Sequence, residues 1–218
     1  MILGLSGKAL SGKDTVADYL IERHNFPYKT GFAYNLKISC MRLFGLTEDQ
    51  VFSQEGKSSV FSVPLITTYD DIYNILGWMR KTHDISIHDK DYNKLIGKKL
   101  YSPRDILQFV GTEVMRFYAS DYHMEVIFRS VKNTDSVIIT DVRFPNESQA
   151  VLDNGGKIVR ILRPDSLRSK HGIILDSSHE SEVALDSWTK WSYVIDNYGE
   201  TTESLYREVD KMLEAIKI

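Results

Sequence analysis

Gly7-Lys8-Ala9-Leu10-Ser11-Gly12-Lys13-Asp14-Thr15 lies between a short apolar run, Ile2-Leu3-Gly4-Leu5, and a stretch whose apolar residues Val16, Ala17, Leu20 and Ile21 recur with helical period. The order is strand, glycine turn, helix. A glycine-bearing turn lets successive backbone N–H groups point inward, and a helix N-terminus adds favourable partial charge, so the segment suits an anion rich in acceptor oxygens. Lys13 is placed to reach the outer phosphates of a polyphosphate as a point charge. The stretch departs from the strict Gly-x-x-x-x-Gly-Lys-Ser/Thr loop at Asp14, and the hydroxyl comes one position late, at Thr15. The spacing therefore does not secure direct ligation of a metal by that hydroxyl. An ordinary glycine turn, with Asp14 favoured by the helix dipole, fits the same residues, but the strand before and the helix after favour phosphate binding.

Composition bounds the rest. A chain of 218 residues is long enough for one substantial core and short for two, so a single α/β domain over 1–218 is expected. With 27 Lys and Arg against 30 Asp and Glu, well mixed, there is no broad basic footprint for nucleic acid or an anionic membrane. Cys40 is alone and reads as a small buried residue rather than a nucleophile. Histidines 24, 83, 88, 123, 171 and 179 lack zinc-site spacing, and no apolar run approaches a membrane span. The N-terminus leads straight into the loop rather than through a signal peptide, so the cytoplasm is the expected compartment.

Along the chain, Tyr28 to Phe32 reads as a second strand, and Ala33 to Phe44 as a helix ended by Gly45, with Lys37 at its opening. Residues 46–101 carry the weakest pattern, a helical spacing within Thr67 to Met79, and are expected to be an acceptor-side insertion. Ser102 caps a helix with Pro103 at its first position, and Arg104, Gln108 and Thr112 fall at spacings of four. That polar stripe suits either a solvated face or the phosphate and base of a nucleotide. A helix from about Asp121 to Val131 leads to Ser136 to Arg143, a continuous apolar strand suited to burial on both faces. Ligands of open α/β sheets bind at the carboxyl ends of strands, which brings Asp141 and Arg143 toward the glycine loop. Asp141 suits Mg²⁺ held through water, hydrogen bonding to a substrate, or a structural role. A helix from Pro145 to about Leu152 and a strand from Lys157 to Leu162 follow. Residues 163–178, with Arg163, Arg168, Lys170 and His171, read as a lid whose cations would neutralise a transferring phosphoryl group, or as a basic surface loop. A helix from His179 to Leu185, a strand from Ser192 to Asp196 and a helix capped by Thr202 complete the chain. Five strands separated by helices predict a doubly wound parallel sheet with helices on both faces.

Taken in order, Ser11-Gly12-Lys13-Asp14-Thr15, Lys37, Arg104-x-x-x-Gln108-x-x-Gly111-Thr112, Asp141-x-Arg143-x-x-x-Glu147, Arg163-Pro164 and His179-x-Ser181-Glu182 resemble the bacteriophage deoxynucleoside monophosphate kinases. The Gly-Lys-Asp-Thr departure fits this resemblance, which leaves 46–101 poorly covered. It implies an adenylate-kinase-like P-loop fold and transfer of the γ-phosphoryl group of ATP, with Mg²⁺, to a deoxynucleoside 5′-monophosphate, supplying nucleotides for phage DNA synthesis. On that likeness Gly12, Lys13, Asp14 and Thr15, beside Gly7 and Ser11 of the same loop, would hold ATP. Leu36, Lys37, Arg104, Gly111, Thr112, Asp141, Arg143, Glu147 and Glu182 would line the acceptor side, with Gln108 from the polar stripe. On the same likeness His123 stands about where related sequences carry a tryptophan, so either stacking on the acceptor base would be altered or the alignment is shifted there. Lys13, Arg143 and the lid residues Arg163 and Arg168 would cradle the transferring group, while Lys37 and Arg104 fix the acceptor phosphate. The loop itself also admits a kinase of another phosphorylated metabolite, of the dephospho-coenzyme A or phosphomevalonate type, or a nucleotide-binding switch without transferase activity. The partners expected are small molecules, neither nucleic acid nor membrane, and a homodimer is left open.

Overall fold

The computed structural model describes residues 1–83, 93–131, 136–168 and 180–217. In chain order its elements are β1 (Ile2–Ser6), α1 (Lys13–His24), β2 (Lys29–Thr30), α2 (Tyr34–Phe44), α3 (Glu48–Phe52), α4 (Gln54–Ser58), β3 (Leu65–Ile66), α5 (Tyr69–His83), β4 (Lys99–Leu100) and α6 (Pro103–Gln108), which continues as a π-helix over Phe109–Arg116. Then come α7 (Tyr122–Val131), β5 (Val137–Ile139), α8 (Pro145–Asp153), β6 (Lys157–Leu162), α9 (Asp165–Arg168), α10 (Glu180–Val183), β7 (Tyr193–Asp196) and α11 (Thr202–Ile216). They form two compact units, one of residues 1–31 with 130–218, the other of residues 32–129.

In the first unit, the described strands form a five-stranded sheet in the order β2, β5, β1, β6, β7, every pair parallel. Alternate strand residues serve opposite faces. Leu3, Leu5, Ile138, Val159, Ile161 and Ile195 pack with Val16, Ala17 and Leu20 of α1 and with Leu205, Val209 and Met212 of α11. Gly4 leaves room beside β1 for the side chains of Ile158 on β6 and Val142 past β5, because a Cβ there would lie 2.6 Å from Ile158 Cδ1 and 3.0 Å from Val142 Cγ2. The strand order reverses at β1, so the loop after β1 and the segment after β5 emerge side by side at the carboxyl edge.

The second unit is mostly helical. Leu36 and Cys40 of α2, Val51 of α3, Ile72, Ile75 and Met79 of α5, and Ile106, Phe109, Val110, Val114 and Met115 of the α6–π segment bury one core. An antiparallel ribbon pairs Leu65 with Leu100 and Ile66 with Lys99.

Several boundaries differ from the sequence reading. Only Lys29–Thr30 of the second strand is laddered, and β5 stops at Ile139, because Thr140 and Asp141 turn and the Asp141 carboxylate lies over Gly31. Thr201, not Thr202, caps α11, its hydroxyl accepting from Ser204 N–H at 3.3 Å. Beyond Phe109 the widened π turn breaks the spacing of four that defined the Arg104 stripe. The expected basic loop opens with the short helix α9, while residues 169–178, with Lys170 and His171, lie outside the described residues, as do His88 and His179.

Candidate active site

β1 ends at Ser6 and α1 starts at Lys13, and the intervening loop requires both of its glycines. Gly12 has φ +102°, and a Cβ there would stand 2.8 Å from Asn197 Nδ2, the group that donates to the Ser11 carbonyl at 2.9 Å. A Cβ on Gly7 would lie 2.6 Å from the Ile161 carbonyl. Leu10 at the apex takes φ +61°, uncommon for a residue with a side chain. As N-cap, Gly12 offers no side chain to the first turn of α1, which leaves those N–H donors to other acceptors. The Ser11 hydroxyl is buried and makes no hydrogen bond to the described residues. Lys13 is also buried, its Nζ donating to the Gly7 carbonyl at 2.7 Å and the Lys8 carbonyl at 2.9 Å. Burial, then the Arg143 guanidinium, pulls this ammonium from 10.5 to about 8 against the opposing fields of Asp14, Glu182 and Asp141.

Just past β5, Arg143 ion-pairs with Glu182 and donates to the Ser181 carbonyl at 3.2 Å. The other Glu182 oxygen accepts the Ala9 N–H at 3.0 Å, so one carboxylate joins the glycine loop to Arg143. Burial works against charge on both partners, and their attraction outweighs it, holding Glu182 below the usual carboxylate range and Arg143 above its own. Glu147 is buried and accepts the N–H groups of Arg143 at 2.8 Å and Phe144 at 3.0 Å, fixing the entry of α8. Arg168, 3 % exposed, donates to the Ala9 carbonyl at 2.9 Å and pairs with Asp165, while Arg163 keeps its Nε buried without a hydrogen bond to the described residues. Thus Lys13, Asp141, Arg143, Glu147, Arg168 and Glu182 all gather in the first unit around the loop.

The remaining acceptor-side residues belong to the second unit. Leu36 of α2 packs over Gly111, where a Cβ would lie 2.7 Å from Leu36 Cδ2. The Lys37 ammonium stands 4.8 Å from the centre of the Phe52 ring. Arg104 Nη2 donates to Gln54 Oε1 at 3.1 Å and Ser58 Oγ at 3.5 Å. Gln108 ends α6, and Thr112 lies within the π segment. His123 is buried edge-on to Tyr122, with Nδ1 making no hydrogen bond. Burial, then Arg116, pulls its imidazole from 6.5 to about 4 against the backbone of Gly111 and Phe32, leaving it neutral at pH 7.

No protein-family profile matches the chain. A protein of Acanthamoeba polyphaga mimivirus, named as a candidate deoxynucleotide monophosphate kinase, is 32% identical over 224 residues, covering 96% of this chain and 94% of that one. This chain belongs to the deoxynucleoside monophosphate kinase family. A deoxynucleoside-5′-monophosphate kinase of Escherichia phage T5 is 29% identical over 213 residues, 85% of each chain. The sequence reading missed three residues that touch the expected site residues: Asn197 at Ser11, Phe52 at Lys37 and Gln54 at Arg104. Asn197 was signalled only by its place at the end of the last strand, where a carboxyl-edge residue meets the loop. Phe52 and Gln54 carried no signal, because helices of five residues are too short to show a period. As a phosphotransferase on the P-loop fold, the protein has its glycine loop at the sheet's switch point.

Proposed function

We propose that this kinase transfers the γ-phosphoryl group of ATP to a deoxynucleoside 5′-monophosphate, releasing the diphosphate and ADP. The observation that carries the reading is the buried Lys13 at the uncapped start of α1, one strand away from Asp141 and Arg143, in a chain related along its length to two proteins named for this activity. Phosphoryl transfer asks a protein for position and charge rather than a covalent intermediate. On binding ATP, the Lys13 ammonium exchanges the carbonyls of Gly7 and Lys8 for phosphate oxygens, and the loop N–H groups and the unpartnered Ser11 hydroxyl supply further donors, flanked by Asp14 and Thr15. Arg143, pinned through Glu147 and Glu182, meets the charge that develops on the transferring group, and Arg168 keeps the loop in shape from behind. Arg163 adds positive charge at the end of β6.

Lys37 and Arg104 bind the acceptor phosphate in this reading, and Leu36, Gln108, Gly111, Thr112, His123, Asp141, Glu147 and Glu182 belong to the acceptor side. The oxygen donors Thr15, Asp14 and Asp141 fit Mg²⁺, which takes one or two carboxylates alongside substrate phosphates, and the fields of both carboxylates reach Lys13. When bound, Mg²⁺ neutralises charge on the phosphates. Among the described residues no helix is long and apolar enough to cross a membrane.

Assay of the full chain with ATP, Mg²⁺ and each of dTMP, dGMP, dCMP and dAMP tests this. Turnover of at least one to its diphosphate is expected. Failure with all four, alongside turnover of a different phosphorylated metabolite, would overturn it.

A further inference from the structure

Lys37 and Arg104 come from different helices, α2 and α6, yet both lean on one short piece of chain, residues 47–58. That piece is built as a stiff corner. Thr47 and Gln50 cap α3 reciprocally, the Gln50 N–H donating to Thr47 Oγ1 at 3.2 Å and the Thr47 N–H to Gln50 Oε1 at 2.9 Å. Ser53 ends α3 and begins α4, its hydroxyl accepting the Gly56 N–H at 2.8 Å. Gly56 carries no Cβ where one would collide with the Asp49 carbonyl, so the two helices close tightly on each other. Val51 is fully buried and anchors the corner in the core of its unit. Phe52 and Gln54, the residues on either side of Ser53, are thereby fixed.

What they hold is chemically specific. The Phe52 ring faces the Lys37 ammonium at 4.8 Å and has Tyr34 at 6.1 Å, with both rings more than a third exposed. The Gln54 carbonyl takes one edge of the Arg104 guanidinium at 3.1 Å, and Ser58 takes the same nitrogen at 3.5 Å. Neither Gln54 nor Ser58 carries a charge. A carboxylate in their place would compete with a phosphate, whereas an amide, a hydroxyl and an aromatic face orient a cation without that competition. Long cationic side chains lose much rotamer freedom on binding, and holding them beforehand lowers that cost.

We infer that the α3–α4 corner is the device that positions the acceptor-phosphate cations, with Gln54 and Phe52 as its positioning residues. The inference rests on the reading of Lys37 and Arg104 as the groups that bind the acceptor phosphate. It gives a role to a stretch in which the sequence shows no motif.

Steady-state kinetics of the full chain test it, using the deoxynucleoside monophosphate that the wild type turns over best. Gln54→Met keeps the side-chain volume and removes the acceptor; it raises KM for the monophosphate about three- to tenfold, with kcat and the KM for ATP within about twofold. In an Arg104→Ala background the same change adds nothing, because its effect runs through Arg104. Phe52→Leu also raises KM for the monophosphate, and Phe52→Tyr, which keeps the ring, restores it. An unchanged KM in both Gln54→Met and Phe52→Leu, while Arg104→Ala raises it, overturns the positioning role and leaves the acceptor reading standing. A Gln54→Met effect of full size without Arg104 overturns it too, since the corner would then serve folding alone. If Arg104→Ala itself leaves the monophosphate KM unchanged, the acceptor reading fails and the inference falls with it.

Discussion

At the scale of single residues, Lys13 has its charge poised near neutrality. Its ammonium is buried, lies in the field of Arg143 and loses its proton near pH 8 in the free protein. A neutral amine does not hold phosphate, so kcat/KM for ATP is expected to fall as pH rises past about 8. Lys13→Arg, always charged, should lack that limb whatever its rate; a limb that persists in this variant would assign it to another group. Lys13→Ala should lower kcat by orders of magnitude with the fold retained by circular dichroism, and near-normal turnover would refute its role. His123 makes a prediction of stability instead. Its folded value of about 4 lies below the unfolded value of about 6.5, so between these the unfolded chain binds more protons and stability rises with pH. Denaturant melts should show a loss on the order of 2 kcal/mol from pH 7 to pH 5 that His123→Phe abolishes. An identical acid loss in the variant would rule His123 out as the cause.

Among the elements, β6 is legible to the residue, because Ile158, Val159, Ile161 and Leu162 are its apolar members and the stretch is closed off by glycines before and Pro164 after. The start of α6 is equally plain, with Ser102 capping and Pro103 at the first position. The π segment that follows is not, since the local sequence reads as an ordinary helix and the close approach of Leu36 to Gly111 within it is a contact in three dimensions. The corner of α3 and α4 escapes for lack of length, and Glu147 is visible as an acid in a first helical turn but not as the acceptor for two backbone donors. That acceptor is open to test. Glu147→Leu strands the N–H groups of Arg143 and Phe144 and should cost about 1–3 kcal/mol in urea unfolding. A change under about 0.5 kcal/mol would show that α8 enters the fold without this cap.

For the whole molecule, what the sequence carried best was order: a glycine loop after the first strand, an acid and an arginine after an apolar strand, and a basic pair, Lys37 and Arg104, in between. The parallel sheet turns two of these into neighbours by setting β5 beside β1. What lay beyond reach was the use of one carboxylate, Glu182, to bridge Ala9 and Arg143, a contact between residues 173 positions apart. Residues 46–101, which the sequence sets apart as an insertion, fall within the second compact unit, 32–129. The central claim is the transfer itself, and it is tested most directly by incubating the full chain with ATP labelled at the γ-phosphorus, Mg²⁺ and each deoxynucleoside monophosphate. The account predicts label in the β position of a deoxynucleoside diphosphate, one for every ADP formed. Label released as inorganic phosphate, with every monophosphate left unchanged, would contradict it.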